Sequence, residues 1–200
     1  MKIRRKHALR AFMLIGSVLA AGVAQSAAAH EFTAAIVGSG PGADALVAEA
    51  ARGFIVATDE RDGHASETSD GHLGGLDVQI RVLPAAAGEA VDALVGMPRD
   101  PADIAIFLGQ ELPGNDGIGT VLGPDTIIFR AGSLPSRQNR EASEFGDRFK
   151  VLFGRSPTET AEQGYNAARR VDMAIRRHSG LAPRAAIESA LAETATGIDW

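Results

Sequence analysis

The chain of 200 residues contains no cysteine, one tyrosine and one tryptophan. Without thiols there is no disulfide framework, no thiolate metal centre and no cysteine nucleophile. A lipobox cysteine is missing as well, which excludes lipid anchoring by that route. Basic residues are scarce: 20 Lys and Arg face 25 Asp and Glu, a formal charge of −5. A phosphate-backbone partner calls for the opposite sign, so a nucleic-acid role is not expected. Apolar runs are short. The longest, Ala11 to Ala24, is too brief for a comfortable span, and no later segment approaches the ~18 residues that a membrane helix needs. The protein is therefore not expected to be membrane-embedded. No Gly-x-Ser-x-Gly occurs, and the histidines stand in loops or at helix ends without an evident nucleophile, so no enzymatic activity is expected.

What is present begins with a basic stretch. Lys2, Arg4, Arg5, Lys6 and Arg10 precede the apolar run, and Ala27, Ala28 and Ala29 follow it. A basic region, an apolar region and an Ala-x-Ala site in that order read as an export signal over 1–29. Its removal takes away five basic residues and no acid. The mature chain, 30–200, then carries 15 basic against 25 acidic residues, a charge of −10. The expected destination is the periplasm. The general secretory route fits better than the twin-arginine one, because the residues around Arg4-Arg5 match the latter poorly.

Along the mature chain, Phe32 to Val37 reads as a buried strand running into the Gly38-Ser39-Gly40-Pro41-Gly42 turn. From Asp44 to Asp59, Val47, Ala50, Phe54 and Thr58 recur at helical spacing. Positions 59–75 are acidic and glycine-rich without a period, and are expected to form an exposed loop. Leu76 to Leu83 alternates as a strand stopped by Pro84, and Glu89 to Val95 reads as a short helix. Ala102 to Leu108 and Asp125 to Arg130 are further buried strands, with a loop between them. Phe145, Phe149, Leu152 and Phe153 form an apolar stripe ended by Gly154. Ser156-Pro157-Thr158-Glu159 predicts a serine cap, proline at the first helical position and a capping-box glutamate. The helix it opens shows Ala161, Gly164, Tyr165, Ala168, Val171 and Ile175 on one face. Glu162, Asn166, Arg169, Arg170 and Arg176 cover the other. Pro183 opens a last helix to about Glu193. Strands alternating with helices, then helices alone, predict one α/β domain: a three- or four-stranded, mostly parallel sheet with helices on both faces.

Phe153-Gly154-Arg155-Ser156-Pro157 followed by Gly164-Tyr165-Asn166-Ala167-Ala168 resembles the later part of periplasmic solute-binding proteins of the branched-chain amino-acid type (type 1) that serve ABC transporters. Ser39-Gly40-Pro41, Arg52-Gly53 and Leu73-Gly74-Gly75-Leu76-Asp77-Val78 are similar to the opening of the same family. Members of the family have two lobes that close over a ligand and run to about twice this length. The resemblance therefore implies a single lobe, 30–200, lacking most of the second. The implied function is that of an exported solute-binding-like component of an ABC-transporter or related pathway. Its small-molecule capacity is reduced or depends on a partner. The alternative is a periplasmic accessory protein that binds a protein, such as an enzyme, and no solute.

By position in the family, Ser39 and Gly40 in the first loop and Gly109 and Gln110 after the third predicted strand are the implied ligand contacts. The ligand would be a small carboxylate or an amino acid, although Ser or Thr is missing beside Gly109. A transporter permease, a periplasmic protein or a second copy of the chain are the implied partners. The bland role of Ser39 is turn formation, and Ser133 and Ser136 read likewise as turn residues. Gly38, Gly40 and Gly42 do not make a dinucleotide loop, because the spacing is Gly-x-Gly-x-Gly and Pro41 has no amide to offer a phosphate. His64 and His72 lie among acids in the 59–75 loop, where imidazole and carboxylate together suit a transition metal. No tight ligand motif accompanies them, and solvated loop residues are the expectation. His30 would join them as a chelating N-terminus if cleavage followed Ala29. No metal or cofactor is assigned. Tyr165 is expected to pack on the sheet, with its hydroxyl on a backbone group.

Overall fold

A computed structural model describes residues 31–39, 41–61, 69–85, 101–108 and 122–200. Strand β1 (Glu31–Ser39) is followed by helix α1 (Ala43–Asp59), the short strand β2 (His72–Leu73) and strand β3 (Leu76–Ala85). Strands β4 (Ile104–Phe107) and β5 (Ile127–Arg130) come next. The remainder is helical: α2 (Arg137–Glu141), α3 (Phe145–Phe153), α4 (Glu159–His178) and α5 (Arg184–Glu193).

The sheet has five strands in the order β2-β3-β1-β4-β5. β3, β1, β4 and β5 are mutually parallel, and β2 is antiparallel to β3. The α/β class is as expected, but the sheet is larger than the three or four strands foreseen. The additional strand lies inside 59–75. Gly74 and Gly75, both at positive φ, turn the chain so that Leu73 pairs with Leu76 and His72 with Asp77. Two residues are too short for a periodic signal, and the acidic composition around them hid a hairpin whose Leu73 is fully buried.

Pro84 does not stop β3, which continues to Ala85 opposite Ser39. β2 reaches only Leu76 and Asp77, so β3 is an edge strand further on, where a proline removes no ladder bond. On the same edge the carboxylate of Asp70 accepts the amide of Ile80 at 2.7 Å.

Parallel strands covered on both faces read as near-continuous apolar runs, which β1 and β4 obey. Phe32, Ala34, Ile36, Ile104, Ile106, Ile127 and Phe129 point into the main core with the buried sides of α1, α3, α4 and α5. Ala35, Val37, Leu83, Ala105 and Phe107 form a second buried cluster on the opposite face. Helices on both faces were expected. The described helices that bury side chains all lie on the main-core face, and the predicted helix Glu89–Val95 falls outside the described residues.

Helices α1 and α4 approach at glycine. A Cβ on Gly53 would overlap the carbonyl oxygen of Ala161, and one on Gly164 would overlap that of Ala50. Each glycine thus faces the partner helix backbone, and a side chain at either would force the helices apart. The entry to α4 differs from the predicted cap by two residues. Thr158, not Ser156, is extended and accepts the amide of Ala161 at 3.2 Å. The Thr158 hydroxyl also donates to Glu49 on α1 at 3.0 Å, so the cap doubles as a tie between the two helices.

Candidate functional site

In a parallel sheet, ligands collect beyond the carboxyl ends of the strands, at the point where strand order reverses. Here the chain passes from β1 to β3 on one side, then crosses to β4 on the other. The reversal lies between β1 and β4, where Val37 is in register with Phe107 and the Leu108 amide donates to Val37 O at 2.9 Å. Ser39 closes β1 at this edge, two residues past that pair. The other three sequence-derived candidates, Gly40, Gly109 and Gln110, lie outside the described residues.

One strand further, beyond β5, a cleft of about 880 Å³ opens between the β5 end, α2, α4 and α5. Arg130, Ser133, Arg140, Gln163, Arg170 and Glu188 are among its lining residues. Of these, the sequence singles out only Ser133, and it does so as a turn residue.

Arg170 organises the cleft wall. Its residue is only 2% exposed. Nη1 donates to the carbonyls of Arg130 and Ala131, both at 2.7 Å, and Nη2 to Leu191 O at 2.6 Å. Nε donates to the Thr194 hydroxyl at 3.1 Å, and the guanidinium lies over the Phe129 ring, 5.0 Å from its centre. All four bonds go to neutral groups. Burial without a compensating carboxylate pulls its pKa down to about 10. Asn166, one turn earlier, is fully buried; it donates to Ala131 O at 3.3 Å and Ser133 O at 3.2 Å and accepts the Ile198 amide at 3.3 Å.

These two contradict the expected outward polar face of α4. The helix is enclosed on two sides, by α1 and by the end of β5 with α5. A second run of small residues, Ala167 and Ala174 beside Asn166 and Arg170, was the signal that this side too is covered. Gly132, at φ 84°, keeps the chain after β5 low enough for the guanidinium to reach the carbonyls, since a Cβ there would meet Arg170.

Arg140 reaches the cleft from α2 and forms an ion pair with Glu162 of α4. Burial raises the pKa of Glu162, and Arg140 opposes that rise. The Nε of Arg140 is buried and has no hydrogen-bond partner. No family model, no curated protein and no solved structure matches the chain.

The remaining candidates resolve locally. His72 Nε2 lies 2.6 Å from Asp77 Oδ1 across the β2–β3 hairpin, while His30 and His64 fall outside the described residues. Among the described residues no three His, Cys, Asp or Glu side chains come together to hold a metal ion. No described helix is long and apolar enough to cross a membrane. Ser136 caps α2, accepting the Asn139 amide at 3.3 Å. The hydroxyl of Tyr165 finds the Glu60 carboxylate at 2.9 Å rather than a backbone group, and its ring packs among Phe145 and Trp200. Burial, with the Glu60 charge beside it, drives the phenol well above its ordinary value.

Proposed function

We propose that the chain is an exported solute-binding-like component of an ABC-transporter or related periplasmic pathway, a single lobe whose small-molecule binding is reduced or depends on a partner. The observation that carries this reading is an open cleft of about 880 Å³ beyond the carboxyl end of β5, one strand from the point where the sheet's strand order reverses. Open α/β sheets take ligands beyond the carboxyl ends of their strands, and the volume is typical of small-molecule sites. The order of the matched segments, from Ser39-Gly40-Pro41 to Gly164-Tyr165-Asn166, supports the same reading, as does the signal-like 1–29 segment. The ligand class is a small carboxylate or an amino acid, and Ser39 is the contact that the resemblance implies. No cofactor or catalytic step is invoked.

A thermal-shift screen of amino acids and small carboxylates against the purified chain tests it. A ligand held at 100 times its Kd should add about 2.7 kcal/mol of stability. Ser39→Ala should then weaken that compound by about 1 kcal/mol. A flat screen, with a periplasmic protein retained on purification, would replace this reading with the accessory one. Two exposed apolar residues of α3 favour that second reading: Val151 is 84% exposed, and Leu152 lies next to it.

A further inference from the structure

Past α5 the backbone is irregular, yet it stays against the molecule. Thr194 closes the helix, and residues 195–200 cross the segment that follows β5. Gly197, at φ 90°, lies flat on that segment, since a Cβ there would meet Ser133 O and Pro135 N. Ala195 O accepts the Ser133 amide at 3.0 Å, and Asn166 Oδ1 accepts the Ile198 amide at 3.3 Å. Asp199 Oδ1 accepts Asn139 Nδ2 at 2.6 Å. The Trp200 ring then packs against α3 and α4, its centre 5.2 Å from that of Phe145 and 4.7 Å from that of Tyr165.

These attachments are unequal. Hydrogen bonds that water could replace add little net stability, and the one between Asn139 and Asp199 is exposed. The ring covers the most apolar surface and is therefore the main hold. It is an imperfect one. Its Nε1 is buried and has no hydrogen-bond partner among the described residues. Docked, the indole forgoes the water that its N–H would bind; released, it recovers that water. A stretch outside helix and strand, held chiefly by one ring with an unmet donor, belongs to the low-stability end of local opening. Ser133 and Ala195 both line the cleft beyond β5, so the bond between them is part of its wall.

We propose that residues 195–200 form a strap, latched by Trp200, that swings off α3 and α4 as one unit while the sheet and helices stay folded. Its release parts Ala195 from Ser133 and widens the cleft at that wall, and its return narrows it. Release also uncovers the apolar surface of Phe145 and Tyr165 beneath the ring. The strap operates whether or not a solute occupies the cleft, so it stands apart from the solute-binding reading.

Trp200 is the only tryptophan in the chain, so indole fluorescence reports this segment alone. The purified full chain is taken through a urea series while tryptophan emission, acrylamide quenching and far-UV circular dichroism are followed together. Emission should move to the red, and quenching should rise, at urea concentrations that leave the dichroism unchanged. Native-state hydrogen exchange, read by NMR, supplies the second measurement. The Ser133 and Ile198 amides should exchange through one shared opening, at least about tenfold more populated than the opening that frees the Phe54 amide of α1. Trp200→Ala removes the latch and should strip protection from Ser133 and Ile198 while Phe54 stays protected. Both measurements on the unaltered chain stand even if that variant folds poorly. Three results overturn the proposal: emission and dichroism that change together, a Ser133 amide as protected as that of Phe54, or Ser133 protection that survives Trp200→Ala.

Discussion

The two sides of helix α4 are built on opposite rules. Toward α1 the contact is small and dry, with Gly53 and Gly164 each lying on the other helix's backbone. Toward β5 and α5 the contact is polar, with Asn166 and Arg170 bonded to carbonyls and a hydroxyl. The first side is constrained by volume and the second by hydrogen-bond satisfaction. Error therefore costs differently on each: a methyl too many on one, an orphaned carbonyl on the other. The polar side is also the one that faces the cleft, so the groups fixing the helix are next to those available to a ligand.

The sharpest break should come on the polar side. Arg170→Met preserves length and removes every donor, leaving Arg130 O and Leu191 O without the partner they have now. The expected loss is about 3 kcal/mol, from carbonyls left without a donor, read as a fall in the urea midpoint. A loss under 1 kcal/mol would mean that water replaces the guanidinium and that this side is not a closed network.

On the dry side, Gly53→Ala gains up to about 1 kcal/mol of helix propensity but meets the Ala161 carbonyl. A net loss of about 2 kcal/mol is expected from overpacking. Gly164→Ala should cost a similar amount. The double variant should lose less than the two together, because helices already forced apart accommodate the second methyl. Strict additivity, measured by thermal melts of the three variants, would show that the two contacts relax independently.

The smallest effect concerns the rim of the dry side. Burial alone would raise the Glu49 carboxyl, but hydrogen bonds from Arg155, Thr158 and Arg52 outweigh it and hold the carboxyl below its ordinary 4.5. A lowered folded pKa adds stability above the ordinary value and loses it as pH falls through the folded one. Glu49→Gln should therefore cost less than about 1 kcal/mol at pH 7, and the difference from the parent chain should vanish below the ordinary carboxylate range. A difference unchanged by acid would assign the effect to packing.

Periodicity made the long elements legible. α1 runs one residue longer than its stripe, the aromatic stripe ends at Gly154 with φ 71°, and α5 opens after Pro183 as expected. β1 and β4 declared themselves as unbroken apolar runs, since both of their faces are buried, and β3 as an alternation. Where the reading failed, a residue's chemistry was taken for its address. Asn166 and Arg170 are polar, so they were placed outward. The stripe rule has no term for carbonyls at the end of a strand that need donors. Thr158 lost the cap to Ser156 because the proline pattern fits the serine, whereas the bond to Glu49 that rewards Thr158 crosses to another helix. The site was least legible of all. The cleft draws on β5, α2, α4 and α5, and no local motif announces a meeting of elements so distant in sequence.

The ends of the sheet carry one more consequence. At the β3 edge the Asp70 carboxylate occupies a backbone donor, and Pro84 supplies none. At the β5 end the Arg170 guanidinium occupies the carbonyl of Arg130. An anion thus closes one margin and a cation the other, each suited to the kind of backbone group it covers. A strand arriving from another molecule finds those groups already taken, so if copies of this chain associate, ladder extension is the route that the fold itself disfavours.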